Sequence, residues 1–353
     1  MSDVFGNPGS KWTDGGGPES DIVVASRVRL ARNLTGVPLP HRDMNDADEQ
    51  VFYRCKSLAN RLGGMKYNFF IMTELCHLDR QMLVEKHLIS PELAAANAWR
   101  AVMLRGDEGV SIMVNEEDHL RIQCLLPGLQ LQDAWRIASK VDNDLEKELD
   151  FAFDPAFGYL TACPTNVGTG LRVSVMLHLA ALEATKQLPH IFNNLSRLGI
   201  AVRGMYGEGS KSHGSLYQIS NQITLGSSEE ELIERLSQAV SKLIDDERAA
   251  RTKLNQAIAA EIFDNVWRSY AALKNARLLA KNELMERLSY LRSGINMGII
   301  SNITAKDINE LMIMGQTAYL QKNSPTPLTN EQMLWERAYM VRKRLPLVLE
   351  DSR

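Results

Sequence analysis

The sequence predicts an α+β fold: a large, mostly antiparallel sheet flanked by helices, followed by a small all-helical domain. Three observations predict it. Short β-type runs at 66–72, 110–114, 120–125, 200–205 and 216–225 alternate with helical stretches as far as Gly226. Two pairs of these runs are joined by short turns, which makes the paired strands antiparallel. After Gly226 almost everything follows helical spacing.

The elements follow in order. Residues 1–20, with the run GNPGSKWTDGGGPES, show no period and are expected as a flexible lead-in. Order is expected from Asp21, where the apolar strand IVVA leads into Ser26-Arg27-Val28-Arg29. Leu131, Trp135, Ala138, Val141, Leu145 and Leu149 mark a helix, and the apolar run VSVMLHLAALEA at 173–184 is expected as another. Capping boxes at Ser228 with Glu231, Thr304 with Asp307, and Thr329 with Gln332 start three more, the last after the breaker stretch NSPTPL. A boundary near 255 separates a domain at 21–255 from a helical domain at 256–353.

The 353 residues carry 40 Lys and Arg against 43 Asp and Glu, a net charge of -3, and 44% are hydrophobic. That length accommodates two domains, and the near-neutral balance removes the bulk electrostatic case for nucleic acid or a membrane surface. Cys55, Cys76, Cys124 and Cys163 lie far apart, forming neither a zinc knuckle nor a disulfide framework. With no basic-then-apolar leader and no window near the roughly 18 apolar residues of a spanning helix, the chain is read as cytoplasmic and unanchored.

Four stretches carry chemistry. Period-2 geometry puts Arg27 and Arg29 on one strand face and Val28 on the other, suiting a polyphosphate or a solvated basic edge. In NEEDHLRIQC, Leu120, Ile122 and Cys124 form an apolar face opposite His119, Arg121 and Gln123. Glu117 falls on the polar side, either as a carboxylate held beside a cation or as part of a charged turn. CPTNVGTGLR is expected to open a helix, with Arg172 in its first turn against the dipole and so near a counter-anion. Cys163 there is a partial thiolate or a small packed residue. Arg203-Gly204-Met205-Tyr206-Gly207-Glu208-Gly209 is a strand running into a loop that closes over a ligand, or a plain hairpin. No P-loop, DFG or HExxH string occurs, so the common nucleotide folds and zinc hydrolases do not fit.

In this order and spacing, the four stretches resemble the ATP:guanidino phosphotransferases, the superfamily of creatine kinase and arginine kinase. Within it NEEDHLRIQCLLPGLQL, CPTNVGTGLR, YGEGS, QISNQITLG and DERAAR are most similar to the bacterial protein-arginine kinases. The resemblance covers about 21–251 closely and the remainder more loosely. It implies the superfamily's large antiparallel catalytic sheet, with ATP and Mg²⁺ as cofactors. Arg27, Arg29, Arg121, Arg172 and Arg203 become ligands of the nucleotide phosphates, and His87 a nucleotide contact. Glu117 and Glu208 become the guanidinium-binding carboxylates, Cys163 the active-site thiol, and no residue a dedicated metal ligand. Kinases of free creatine or arginine carry an all-helical domain before the SxRVR stretch, whereas here 26 residues precede Arg27. A site without that cover implies protein substrates with exposed arginines. The alternatives are a kinase of a free guanidino metabolite and a non-catalytic phosphoarginine adaptor.

A guanidinium is protonated at neutral pH and is a poor nucleophile, so Glu117 is assigned as general base and Glu208 as the clamp on the other edge. The resemblance further implies a zinc-finger activator, a Clp ATPase and protease that consume the marked proteins, and a homodimer through the helical domain. It also implies a phosphoarginine pocket around an RDxxRA motif. Here Met333 and Leu334 replace its first Arg and Asp, which leaves Arg337, Arg342 and Arg344 as candidates.

Overall fold

Alternation along the strands divides the molecule into layers. The computed structural model describes residues 4–40, 45–95, 98–204 and 214–348. Its first part contains β1 (Val23–Arg32), α1 (Asn45–Leu58), β2 (Tyr67–Ile71), α2 (His77–Glu85) and α3 (Pro91–Ala94). β3 (Ala101–Arg105), β4 (Val110–Val114), β5 (Leu120–Pro127), α4 (Leu131–Glu146) and the short hairpin β6 (Phe153–Asp154) and β7 (Gly158–Tyr159) follow. Next come β8 (Leu171–His178), α5 (Ala180–Ala184), α6 (Leu188–Arg197), β9 (Ile200–Gly204) and β10 (Leu216–Asn221). The rest is helical: α7 (Glu229–Asn275), α8 (Lys281–Asn296), α9 (Ala305–Met314), α10 (Thr317–Lys322) and α11 (Asn330–Arg344).

Among the described residues the main sheet has eight strands in the order β2-β3-β4-β5-β1-β8-β10-β9, and every neighbouring pair is antiparallel. Its central strands present Val28, Leu30, Ile122, Cys124, Val173, Val175 and Ile219 to one side, all fully buried. Against that side pack Val51 and Phe52 of α1, Ala134 and Ala138 of α4, and Leu232, Leu236 and Val240 of α7. Burial of each such side chain contributes about 1.5–3 kcal/mol, so this layer fixes the strand register.

The opposite side of the sheet is covered only at its flanks. Val102, Leu104 and Met113 meet Leu83, Leu88 and Leu93 at one edge, while Ala25, Leu125 and Leu216 meet helices α7 to α11 at the strand ends. The middle of that side is polar.

Two expectations change here. The run at 173–184 is strand β8 as far as His178, and only Ala180–Ala184 is helical. Leu171, Val173, Val175 and Leu177 alternate with Arg172, Ser174 and Met176, and a central strand buries such a row on one side. Arg172 therefore lies on a strand, and the helix-dipole argument for its counter-anion no longer applies. The lead-in carries a 3-10 turn at Lys11–Asp14 and buries Val4 and Trp12. Lys86 Nζ donates to Val4 O at 3.0 Å and Asn7 O at 3.2 Å, and Trp12 Nε1 donates to Lys86 O at 3.0 Å. The glycines permit close approach: a Cβ on Gly17, at φ 128°, would sit 2.6 Å from Pro127 O.

All three expected capping boxes are present, at Ser228, Thr304 and Thr329. The position proposed as a boundary, 255, lies inside α7. This helix of 47 residues, about 70 Å long, contributes Leu236 to the catalytic core and Val266 and Leu273 to the C-terminal one. Glu247, in the middle of α7, accepts from Ala181 N at 3.0 Å and Leu182 N at 2.9 Å, and Arg251 donates to Asp21 at 3.2 Å.

Behind the sheet, Arg32 is almost fully buried, donates to Asp142 at 2.7 Å and lies 3.5 Å from the Tyr159 ring centroid. Asp142→Ala leaves that cation in the core, and we expect a loss of about 3–5 kcal/mol in denaturant unfolding.

Candidate active site

The polar side of the sheet collects the arginines. Register places Arg27 opposite Leu125 and Ser174, Arg29 opposite Gln123 and Arg172, and Ala31 opposite Arg121. Ser174 faces Ser220, and Arg203 faces Gln218, so all five arginines share one face. Four separate motifs converge because β1 lies between β5 and β8.

This face gathers positive charge. Arg27 donates to Gln218 Oε1 at 2.6 Å and Ser174 Oγ at 3.3 Å, and Arg172 to Ser220 Oγ at 3.4 Å, all neutral acceptors. Arg29 Nε is buried with no hydrogen-bond partner. Burial, then Arg172 and Arg121, lower the Arg27 pKa to about 10, and burial with the same neighbours lowers that of Arg29 well below its ordinary value. Arg27 stays charged at neutral pH, and a polyanion laid across the face relieves the repulsion.

At one end of this face the β4–β5 turn presents its carboxylates. Asn115, at φ 55°, donates its side-chain amide to Asp48 O and Trp99 O, both at 2.8 Å. Asp118 accepts from Asn33 Nδ2 and Ala162 N at 2.7 Å. His119 Nδ1 accepts from Leu34 N at 3.0 Å and its Nε2 donates to Pro38 O at 2.8 Å, so the ring is a neutral brace. Glu116 is buried and accepts from Arg121 at 2.7 Å. That leaves Glu117, with 45% of its side chain exposed, accepting from Arg121 Nη2 at 3.2 Å.

Glu117 has a raised pKa. Burial is the largest cause, Arg121 opposes it, Asp118 and Glu116 add to it, and a hydrogen bond from Cys163 opposes it. Cys163 is half-buried at the start of the 3-10 turn Pro164–Asn166, with Sγ 3.0 Å from Thr165 Oγ1. The structure thus brings Glu117, Cys163 and Arg121 together.

At the other end lies a small cavity lined by Trp12, His87, Leu125, Met176 and Gln218, with Arg27 at its mouth. The Trp12 and His87 ring centroids are 5.6 Å apart, and His87 sits at φ 59°. Burial, then Arg27 and Lys281, lower the His87 pKa to about 4, so the ring is neutral, and its buried Nε2 has no hydrogen-bond partner. The cavity is small, about 10 Å³ or the room of one water, so it encloses no nucleoside; Trp12 and His87 mark the aromatic end of the arginine face. From Ala25 to Ala31 the strand spans about 20 Å, running from that end to the carboxylate.

The other expected residues fall elsewhere. Glu208 lies outside the described residues. Arg337 is buried in α11 and donates to Gly315 O at 2.7 Å and Leu279 O at 3.0 Å. Arg342 donates to Ala276 O, and Arg344 to Glu310 at 2.6 Å. These three brace the C-terminal helices, each with its own partner. Sequence reasoning missed Trp12, Ser174 and Gln218 as parts of the polar face. Alternation with Arg172 would have found Ser174, whereas nothing in a glycine-rich, aperiodic segment signals Trp12.

The family model for the C-terminal catalytic domain of the ATP:guanido phosphotransferases matches residues 49–250. That for the C-terminal domain of the protein-arginine kinase McsB matches 259–352. A protein-arginine kinase of Desulforamulus reducens is 48% identical over 351 residues, 98% of each chain. One of Moorella thermoacetica is 48% identical over 95% of this chain and 97% of its own. Among solved structures, a lombricine kinase superposes with a TM-score of 0.59 at 25% identity, over 68% of this chain and 69% of that one. The duplicated taurocyamine kinase of Schistosoma mansoni, with bound transition-state-analogue components, gives 0.60 at 26% identity, over 70% of this chain and 35% of that one. On the arginine face, the Glu117 turn and these full-length matches, the chain belongs to the ATP:guanido phosphotransferase family, among its protein-arginine kinases.

Proposed function

We propose that the protein moves the γ-phosphoryl group of ATP onto an arginine side chain of a protein. The observation that carries this reading is the single polar face on which the arginines run from the Trp12–His87 ring pair to Glu117 and Cys163. ATP lies along it with its base beside Trp12 and His87 and its phosphates on Arg27, Arg29, Arg172, Arg203 and Arg121. Among the described residues no cluster of three or more His, Cys, Asp or Glu is placed to hold a metal. Mg²⁺ fits as a companion of the phosphates, its shell completed by water, and supplies charge neutralisation there.

A guanidinium nitrogen attacks the γ-phosphorus, Glu117 takes the proton it loses, and ADP leaves. Glu117 suits the role because it is accessible and holds a proton more readily than an ordinary carboxylate. Cys163, bonded to Glu117, fixes its orientation, and Glu208 is assigned to the second edge of the guanidinium. The adaptor alternative relies on Arg337, Arg342 and Arg344. All three donate to groups of their own helical part, which favours the enzyme.

The proposal extends to marking proteins for a Clp ATPase and protease, with a zinc-finger activator, on the strength of the resemblance. A homodimer through the helical part is supported by Trp335 and Tyr339, one turn apart on α11 and 48% and 51% exposed. Among the described residues no helix is long and apolar enough to cross a membrane.

The reaction is tested by incubating the protein with Mg-ATP and a disordered, casein-like acceptor and locating the added mass without acid. Phosphate on arginine is expected; phosphate on Ser, Thr or Tyr, or on free arginine alone, would overturn the reading. Glu117→Gln should lower kcat by about 10²–10⁴-fold while ATP affinity stays within about twofold by calorimetry. As a base, Glu117 works only when ionised, so its raised pKa places the acid limb of kcat/KM above the ordinary carboxylate range. Cys163→Ala removes a hydrogen bond that favours the carboxylate, and the limb should move to still higher pH in a pH–rate profile. Trp12→Ala should weaken ATP binding about tenfold with kcat at saturating ATP nearly unchanged, read from KM against kcat.

A further inference from the structure

Beside the carboxylate end of the active site lies a surface that phosphoryl transfer itself does not use. The hairpin β6–β7 pairs Phe153 with Tyr159 and Asp154 with Gly158, and leaves Phe153 and Phe157 58% and 57% exposed. Across an open groove of about 440 Å³ stands Leu225, 51% exposed. Single exposed apolar residues are ordinary, but three lining one groove are not. Glu229 and Glu231, in the first turn of α7, line the same groove.

Both walls are tied to the catalytic loop. On the hairpin side Leu160 O accepts from Asn33 Nδ2 at 3.0 Å, and Ala162 N donates to Asp118 Oδ1 at 2.7 Å. On the Leu225 side Thr224 Oγ1 donates to Thr165 O at 2.9 Å and Val167 O at 2.7 Å. Two residues separate Leu160 from Cys163, a span of at most about 10 Å. Tyr159 and Gly168 exchange backbone hydrogen bonds at 2.8 and 3.3 Å, so the floor is held in place.

We propose that this groove docks the polypeptide of the protein substrate, as an extended segment with apolar and basic residues next to the target arginine. The inference rests on the protein-arginine kinase reading and specifies its substrate class. Charge decides the occupant: two carboxylates at the rim attract a segment that already carries an arginine and repel an acidic one. Phe153, Phe157 and Leu225 take the apolar side chains, which a folded protein hides and an unfolded one exposes. Thr224, which lines the groove, holds the loop that carries Cys163 through Thr165 O and Val167 O, and this ties the groove to the active site.

The test uses the full chain with Mg-ATP and a casein-like acceptor. In the double variant F153S/F157S, KM for the acceptor should rise about tenfold, and in E229K about threefold, with kcat, ATP affinity and melting temperature held. A photoreactive benzoylphenylalanine at position 157 should crosslink to the acceptor; this and E229K do not depend on the double variant folding. Unchanged KM values, or crosslinks only between two copies of the chain, would overturn the docking site while leaving the reaction intact. A wild-type protein that forms no acid-labile phosphoarginine would overturn both.

Discussion

Everything at this site depends on a sheet whose two sides have opposite chemistry. Five guanidinium groups on one face repel one another; Arg121 pairs with Glu116 and Glu117, while Arg27 leans on an amide and a hydroxyl group. The stabilisation comes from behind. Val28, Leu30, Ile122, Val173 and Val175 are fully buried against helices, and strict alternation means that the core cannot keep those side chains without projecting the arginines the other way. A one-residue slip would bury charge and expose the core, so register and anion site are specified together.

That coupling explains why much of the site was legible in the sequence. Leu120, Ile122 and Cys124 on one side imply Arg121 and Gln123 on the other, and the same rule separates Arg27 and Arg29 from Val28. It should have applied to Arg172 too, since Leu171, Val173, Val175 and Leu177 mark one face. Met176 between them, and Leu179 just beyond His178, broke the alternation and imitated a helix that begins only at Ala180. Convergence of the motifs was less legible, because it follows from β1 lying between β5 and β8, and strand order is set by long-range packing. Only the resemblance to a known family supplied it.

The lead-in and α7 show how the two helical flanks are joined to the site. Trp12 packs on His87 while the neighbouring Thr13 carbonyl accepts from Asn309 of α9 at 3.4 Å, so one short segment touches both the end of the arginine face and the C-terminal helices. α7 does the same behind the sheet through Glu247, Arg251 and Asp21. Glycines made the lead-in look loose, yet at Gly15 and Gly17 they admit backbone contacts that a side chain would block.

Arg121 gives the proposed chemistry its last step. It holds buried Glu116 at 2.7 Å with one nitrogen and exposed Glu117 at 3.2 Å with another, so in this structure a guanidinium of the protein already occupies the base. The two contacts differ in strength. An exposed pair contributes only about 0.2–1 kcal/mol, whereas breaking a buried one costs several times more, so a substrate arginine displaces Arg121 from Glu117 but not from Glu116. The nitrogen set free stays on the arginine face. On the proposed mechanism, binding of the acceptor frees one Arg121 nitrogen on the face assigned to the phosphates, and Arg121 keeps Glu117 paired when no acceptor is present.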